Sequence, residues 1–323
     1  MRTIQNILFI CFLAICFCSC EKEWEEELYK NVVSFGKNGV ADIYLRYKPN
    51  GITSYQVPVI LSGTTMNEHD LQVNVALDKD TLEQLNFERF RYRDDLYFKE
   101  LDAKYYSLPT EPVHIEKGNS VGLLNIDFTL GDLDMVEKYI LPLSIVEGNG
   151  YDVNYRKHYR RALLNVIPFN DYSGSYAATA GLVYQRDKAE NDQVPISMET
   201  RTLKVVDDNS CFFYAGVTDE ELKDRELYKI IARFGEEGTI TLEAPYADKI
   251  GFNFISGDYV ITEEQDPLQP YLLHRYIKIQ MEYEYNELIP NTDLFIPYVF
   301  RGSITMERKI NTTIPDEDQA IIW

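Results

Sequence analysis

From His274 to Tyr285 the chain alternates without a break. Ile277, Ile279, Met281, Tyr283 and Tyr285 take one parity, and Tyr276, Lys278, Gln280, Glu282 and Glu284 the other. A period of two sustained over that length fits a half-buried β-strand, because successive strand side chains point to opposite faces. Tyr298 to Arg308 reads as its partner strand. Further candidates precede them at Ser175 to Tyr184, Leu203 to Val206, Tyr228 to Phe234 and Thr239 to Glu243, the last two forming a hairpin over Gly235-Glu236-Glu237-Gly238. One short helix is expected near Leu222 to Leu227, behind the capping box Thr218-Asp219-Glu220-Glu221.

Asn31 to Pro168 shows the same signal in shorter pieces. Ile43 to Tyr47, Tyr55 to Leu61, Leu71 to Leu77, Leu124 to Leu130, Tyr139 to Val146 and Ala162 to Ile167 are β-prone and separated by turn residues. Pro58 suggests an edge strand or a bulge. Leu71, Val73, Val75 and Leu77 are expected on one buried face. Glu83 to Tyr106, dense in charge and aromatics, breaks the rhythm and reads as an elaborated loop packed on the sheets. The pattern predicts an all-β chain: an immunoglobulin-like sandwich over 31–168, then a second, mostly antiparallel β-domain over 169–323. A small barrel, a calycin-like barrel or a second sandwich all fit the latter.

Lys and Arg number 32 against 52 Asp and Glu, a formal charge of −20. Nucleic acid and anionic membrane surfaces are therefore poor partners. The N-terminus has a positive residue, Arg2, an apolar run from Ile7 to Phe17 and then Phe17-Cys18-Ser19-Cys20. That order describes a secretory signal over 1–19, and Phe17-Cys18-Ser19-Cys20 resembles a loose bacterial lipobox, which implies Cys20 as the lipidated first residue of the mature chain. Residues 20–30, rich in Glu, read as an acidic tether, and acidic residues in that place resemble the surface-export signals of Bacteroidota lipoproteins. The expected location is the outer membrane, lipid-anchored and facing the cell exterior. Cys211 is then the one remaining cysteine and reads as a small buried hydrophobe.

Catalytic signatures such as G-x-S-x-G, H-E-x-x-H and the P-loop are absent from the sequence. The four histidines, His69, His114, His158 and His274, lack ligand spacing. Asp132-Leu133-Asp134 and Asp316-Glu317-Asp318 read as solvated turns, so neither a metal nor another cofactor is expected. Exposed aromatics suit a sugar-binding platform. The candidates are Tyr92, Tyr97, Tyr105 and Tyr106 in the charged loop, and Tyr246 and Tyr271 beside Pro245 and Pro270.

Two groups of segments carry a family resemblance. Val57 to Thr64, Leu123 to Leu130 and Tyr139 to Ile145 resemble an uncharacterised N-terminal domain of Bacteroidota surface lipoproteins. Asn170 to Tyr176 and Asn311 to Trp323 resemble a C-terminal domain of unknown function that accompanies it. The resemblance implies a protein of polysaccharide utilisation loci. Such a protein would be non-catalytic and would bind a polysaccharide or oligosaccharide beside an outer-membrane carbohydrate transporter. A structural subunit of an envelope complex, or a carbohydrate-active enzyme, are the alternatives.

Overall fold

The structure is a computed structural model that describes residues 29–189, 192–289, 292 and 294–315. The signal segment, Cys20, most of the tether and Asp316-Glu317-Asp318 lie outside the described residues.

Two β-sheets face each other in the first half of the chain. One runs in the order Asp152–Val153, Val32–Phe35, Thr53–Ser62, Val121–Phe128, Tyr106–Ser107. The other runs Gly39–Arg46, Arg161–Phe169, Tyr139–Ile145, Val75–Leu77, with Lys99–Glu100 also pairing on Tyr139–Ile145. Alternation sets what goes between them. Phe35, Val57, Val59, Ile126 and Phe128 enter from one sheet, and Ile43, Leu45, Leu141, Leu143, Leu164 and Val166 from the other; all are buried. Pro58 stands inside a strand, not at an edge. It lies opposite Gly36, just past the end of Val32–Phe35, where no ladder donor is required, and its carbonyl still accepts from Gly36 N at 2.8 Å.

The second sheet is apolar on both faces, and this accounts for the segment misread as a loop. Ile140 and Leu163 point away from the sandwich core and need a cover. Leu82 and Phe98 supply it, with Leu85 and Phe90 packed alongside. Lys79–Phe90 is an α-helix, started by Asp78, whose carboxylate accepts from Thr81 N at 3.1 Å. Asn86 locks the helix to the following chain by accepting from Phe98 N at 2.8 Å and donating to Phe98 O at 2.9 Å. The helix shows no clear apolar stripe in sequence, since only Thr81, Leu82 and Asn86 are buried.

Leu71 to Leu77 is also corrected. Leu71–Val73 pairs with Val113–Ile115, whereas Val75–Leu77 pairs with Tyr139–Ile145. The break falls at Asn74, whose N–H is taken by the Tyr151 hydroxyl at 3.1 Å and whose carbonyl accepts from Val146 N. Leu71 and Val73 are buried, Val75 is half-buried and Leu77 is exposed.

The second half forms a nearly closed eight-stranded antiparallel barrel. Its strands, Gly174–Gln185, Thr200–Asp207, Ser210–Tyr214, Lys229–Phe234, Ile240–Glu243, Asn253–Gln265, Leu272–Leu288 and Phe295–Asn311, follow one another around the wall. The last returns to pair with the first, and the bridge Thr239–Asp258 spans the seam between the fifth and sixth. The alternation of His274 to Tyr285 behaves as expected: Ile277, Ile279, Met281, Tyr283 and Tyr285 fill the barrel. Phe295–Asn311 pairs along the whole of Leu272–Leu288. The predicted helix over Leu222 to Leu227 does not form. Asp219, not Thr218, caps the turn there by accepting from Glu221 N at 2.8 Å, and a short 3-10 turn follows at Arg225–Tyr228.

Candidate functional site

The site begins with one strand buried on both sides. In Ser210–Tyr214, Cys211 and Phe213 face the barrel interior, while Phe212 and Tyr214 point outward and join the apolar cluster of the first half with Leu133, Met135 and Val136. Polar ties frame this contact. Lys229 Nζ lies 3.0 Å from Asp134 Oδ1, Arg225 lies 3.6 Å from Glu137 and donates to Asp95 O at 3.1 Å, and Arg93 donates to Glu221 O at 2.5 Å.

The chain crosses between the halves at Phe169 to Gly174, and Asn170 fastens that crossing. Its side-chain oxygen accepts from Tyr172 N at 3.0 Å, Ser173 N at 2.8 Å and the Cys211 thiol at 3.2 Å. Its amide nitrogen donates to Asp207 O at 2.7 Å and Ser210 O at 3.2 Å. The buried Arg308 guanidinium donates to Asn170 O at 2.7 Å and Ser173 O at 2.6 Å. Asp171 is held by Arg46 at 2.8 Å. Burial pushes the Cys211 thiol well above its ordinary range, with Asn170 acting in the opposite direction. In the chain from Glu21 onward, Cys211 should therefore resist a maleimide reagent in the native state and react on unfolding. Labelling followed by intact mass checks this, and rapid native labelling would contradict the buried placement.

Between the sandwich and the barrel, above this crossing, lies a cleft of about 300 Å³. One wall is the outward face of the second sheet, with Tyr44, Asn165 and Ile167. The facing wall is the outer surface of the barrel, where Ser175 and Thr202 sit opposite each other on paired strands and Lys204 follows. Asn165 Nδ2 donates to Asp42 Oδ1 at 2.8 Å, which leaves its carbonyl oxygen as the acceptor. Lys204 Nζ stands 3.4 Å from Glu220 and over the rings of Phe212 and Tyr214 at 5.8 and 5.6 Å. Burial holds this ammonium below the usual lysine range, and Glu220 opposes the shift. Apolar walls carrying a few fixed polar groups, set between two domains, are the common form of a small-molecule site. Two further hollows, of about 690 and 460 Å³, adjoin Lys30 near the start of the described chain.

None of the six sequence-selected tyrosines lines the cleft. Tyr92 stands out in solvent, 92% exposed. Tyr97 packs near Phe90 and donates to Arg91 O at 2.6 Å. Tyr105 and Tyr106 lie half-buried against the sandwich core, and Tyr105 donates to Asp132 O at 3.2 Å. Tyr246 is half-buried and donates to Glu226 at 3.2 Å; Tyr271 is exposed and donates to Gln269 at 2.8 Å. Among the described residues no ring of the six stacks on another. His274 sits between Glu307, at 2.5 Å, and Asp266, at 3.0 Å, on the outside of the barrel. Among the described residues no group of three or more His, Cys, Asp and Glu is arranged to hold a metal ion, and no helix is long and apolar enough to cross a membrane.

Sequence reasoning missed the cleft because its residues come from six separate segments. One signal was present: Arg161–Phe169 carries apolar residues at both parities, with Leu163 and Ile167 as well as Leu164 and Val166. A strand of that kind requires cover on its second face.

Residues 24–149 match the family model of a domain of unknown function, DUF4973, and residues 160–305 match a separate C-terminal domain model ("-like, C-terminal"). Among solved structures, a Bacteroides ovatus protein of unknown function is 43% identical, covering 90% of this chain and 100% of its own, with a TM-score of 0.79. A multidomain Bacteroides ovatus protein including DUF1735 is 42% identical over 90% of this chain and 99% of its own, also at 0.79. A Bacteroides thetaiotaomicron protein, solved as an auxiliary nutrient binding protein, is 35% identical over 88% of this chain and 96% of its own, at 0.78. No curated protein matches the chain. Near-complete coverage at these identities places it: the chain, whose residues 24–149 match DUF4973, belongs to the family of Bacteroides proteins that these relatives represent.

Proposed function

We propose that this protein is a non-catalytic lipoprotein, anchored through Cys20 to the outer face of the outer membrane, that holds a polysaccharide or oligosaccharide for an outer-membrane carbohydrate transporter. The observation that carries the reading is the likeness, along 88% of the chain, to the auxiliary nutrient binding protein. The cleft supplies a matching chemistry. Tyr44 and Ile167 offer apolar surface to the C–H faces of a sugar, while Asn165, Ser175, Thr202 and the Lys204–Glu220 pair offer partners to its hydroxyls. The exposed rings of Tyr92 and Tyr271 are secondary platforms in this reading.

Native affinity gels containing plant, host and microbial polysaccharides test it, using the unlipidated chain from Glu21. At least one glycan should retard the protein, and Tyr44→Ala should weaken that retardation about tenfold, the loss of one stacked ring. Absence of retardation across the panel, with a stoichiometric membrane partner recovered instead, would replace this reading by that of an accessory subunit.

A further inference from the structure

We infer that the interdomain cleft is a blind pocket that takes the end of a neutral saccharide chain and excludes its interior; this rests on the glycan-binding reading above. Two features close it. At the back, the polypeptide itself crosses between the domains, and Pro168 and the buried Ser173 and Gly174 line the cleft there. Asn170 and Arg308 fix this crossing to the barrel by the hydrogen bonds described above, so it is a fixed wall. At the far end, Glu137, Lys138, Lys204 and Glu220 border the cleft and also border a separate small hollow beside Phe90, Leu96 and Arg225. Those four side chains line both spaces and so stand between them. The ion pairs Lys204–Glu220, at 3.4 Å, and Arg225–Glu137, at 3.6 Å, tie three of them in place.

A polymer running through the cleft would have to pass the covalent crossing or displace these side chains. A terminal sugar meets neither obstacle. The volume, about 300 Å³, stands at the small end of the range for ligand sites and suits one or two sugar units, not a bound segment of chain. The charge is also informative. The cleft's four ionisable side chains apart from Tyr44 are two lysines and two glutamates, so their formal charges cancel and the lining favours neither an anionic nor a cationic sugar. Ser175 and Thr202 project from the barrel at the mouth, where each is exposed and faces the other across the strand pair.

The test uses the unlipidated chain from Glu21 and the glycan that retards it most. That glycan is cut to a defined oligosaccharide series and titrated calorimetrically. The Kd should stay within about threefold from the shortest bound fragment up to the polymer, when the concentration is counted as chain ends. Ser175→Trp, which fills the mouth, should weaken binding at least about tenfold, and Thr202→Trp should repeat the effect. Thr241→Trp, on the barrel exterior away from the cleft, should leave the Kd within about twofold, with thermal melts confirming that all three fold. A Kd that tightens steadily with chain length, and that Ser175→Trp and Thr202→Trp leave unchanged, would put chain interiors on another surface. That result overturns the pocket and leaves glycan binding standing. Failure of every glycan in the panel would remove both.

Discussion

Asn170→Ala is expected to destabilise the protein by about 3–5 kcal/mol, because it removes the acceptor of two backbone N–H groups and the donor to two backbone carbonyls at one crossing. Asn170 is 2% exposed. Its side chain receives the N–H groups of Tyr172 and Ser173 and donates to the carbonyls of Asp207 and Ser210. Alanine removes donor and acceptor together, in a network that also engages Arg308 and Cys211. For a protein of this size the melting temperature should fall on the order of 10 °C. Asn170→Asp discriminates the two halves of the network: it keeps the acceptor toward Tyr172 and Ser173, loses both donors, and adds a charge beside Arg308. Its loss should be smaller than that of alanine. Equal melts for wild type and Asn170→Ala would mean that the crossing is not held as described.

Val73→Asp should cost roughly 4 kcal/mol or more and leave the sandwich unfolded, whereas Val75→Asp should cost about 1–2 kcal/mol. Strict alternation makes the two positions equivalent, but the structure does not. Val73 is fully buried within the main apolar cluster, where a carboxylate finds no partner. Val75 is half-buried in a different sheet, and its replacement can turn toward solvent. Asn74→Asp keeps the backbone bonds to Tyr151 and Val146, and should be nearly neutral. Urea denaturation of the three variants checks the order; similar midpoints for Val73→Asp and Val75→Asp would contradict the break at Asn74.

The difference between those two valines shows what alternation carries and what it omits. Period-two patterning reports that a residue faces a core. It does not report which sheet the residue belongs to, because that depends on partners such as Ile145 and Val113 that lie far along the chain. Barrel strands such as Leu272–Leu288 were legible since one face meets a packed interior and the other meets water. Lys79–Phe90 was not legible as a helix. It buries few side chains, and the demand for it comes from Ile140 and Leu163, which sit on strands remote from it in sequence. Ser210–Tyr214 posed a related problem: its continuous burial reflects two cores, one on each face.

The cleft residues were harder still. Tyrosines clustered in sequence invite a platform, yet Tyr97, Tyr105 and Tyr246 spend their hydroxyls on neighbouring backbone or side-chain groups. The cleft instead draws Tyr44, Asn165, Ser175, Thr202 and Lys204 together only after both domains have folded and the crossing at Asn170 has set their relation. No local spacing encodes such a site.

Hydrogen–deuterium exchange with and without the bound glycan tests the central claim most directly. Bound sugar should slow exchange in the segments 42–47, 165–175 and 200–204, which form the cleft walls and its back, and leave the rest of the barrel unchanged. Protection confined to 92–106 or to 266–272, with the cleft segments unaffected, would contradict it and move the site to the exposed tyrosines.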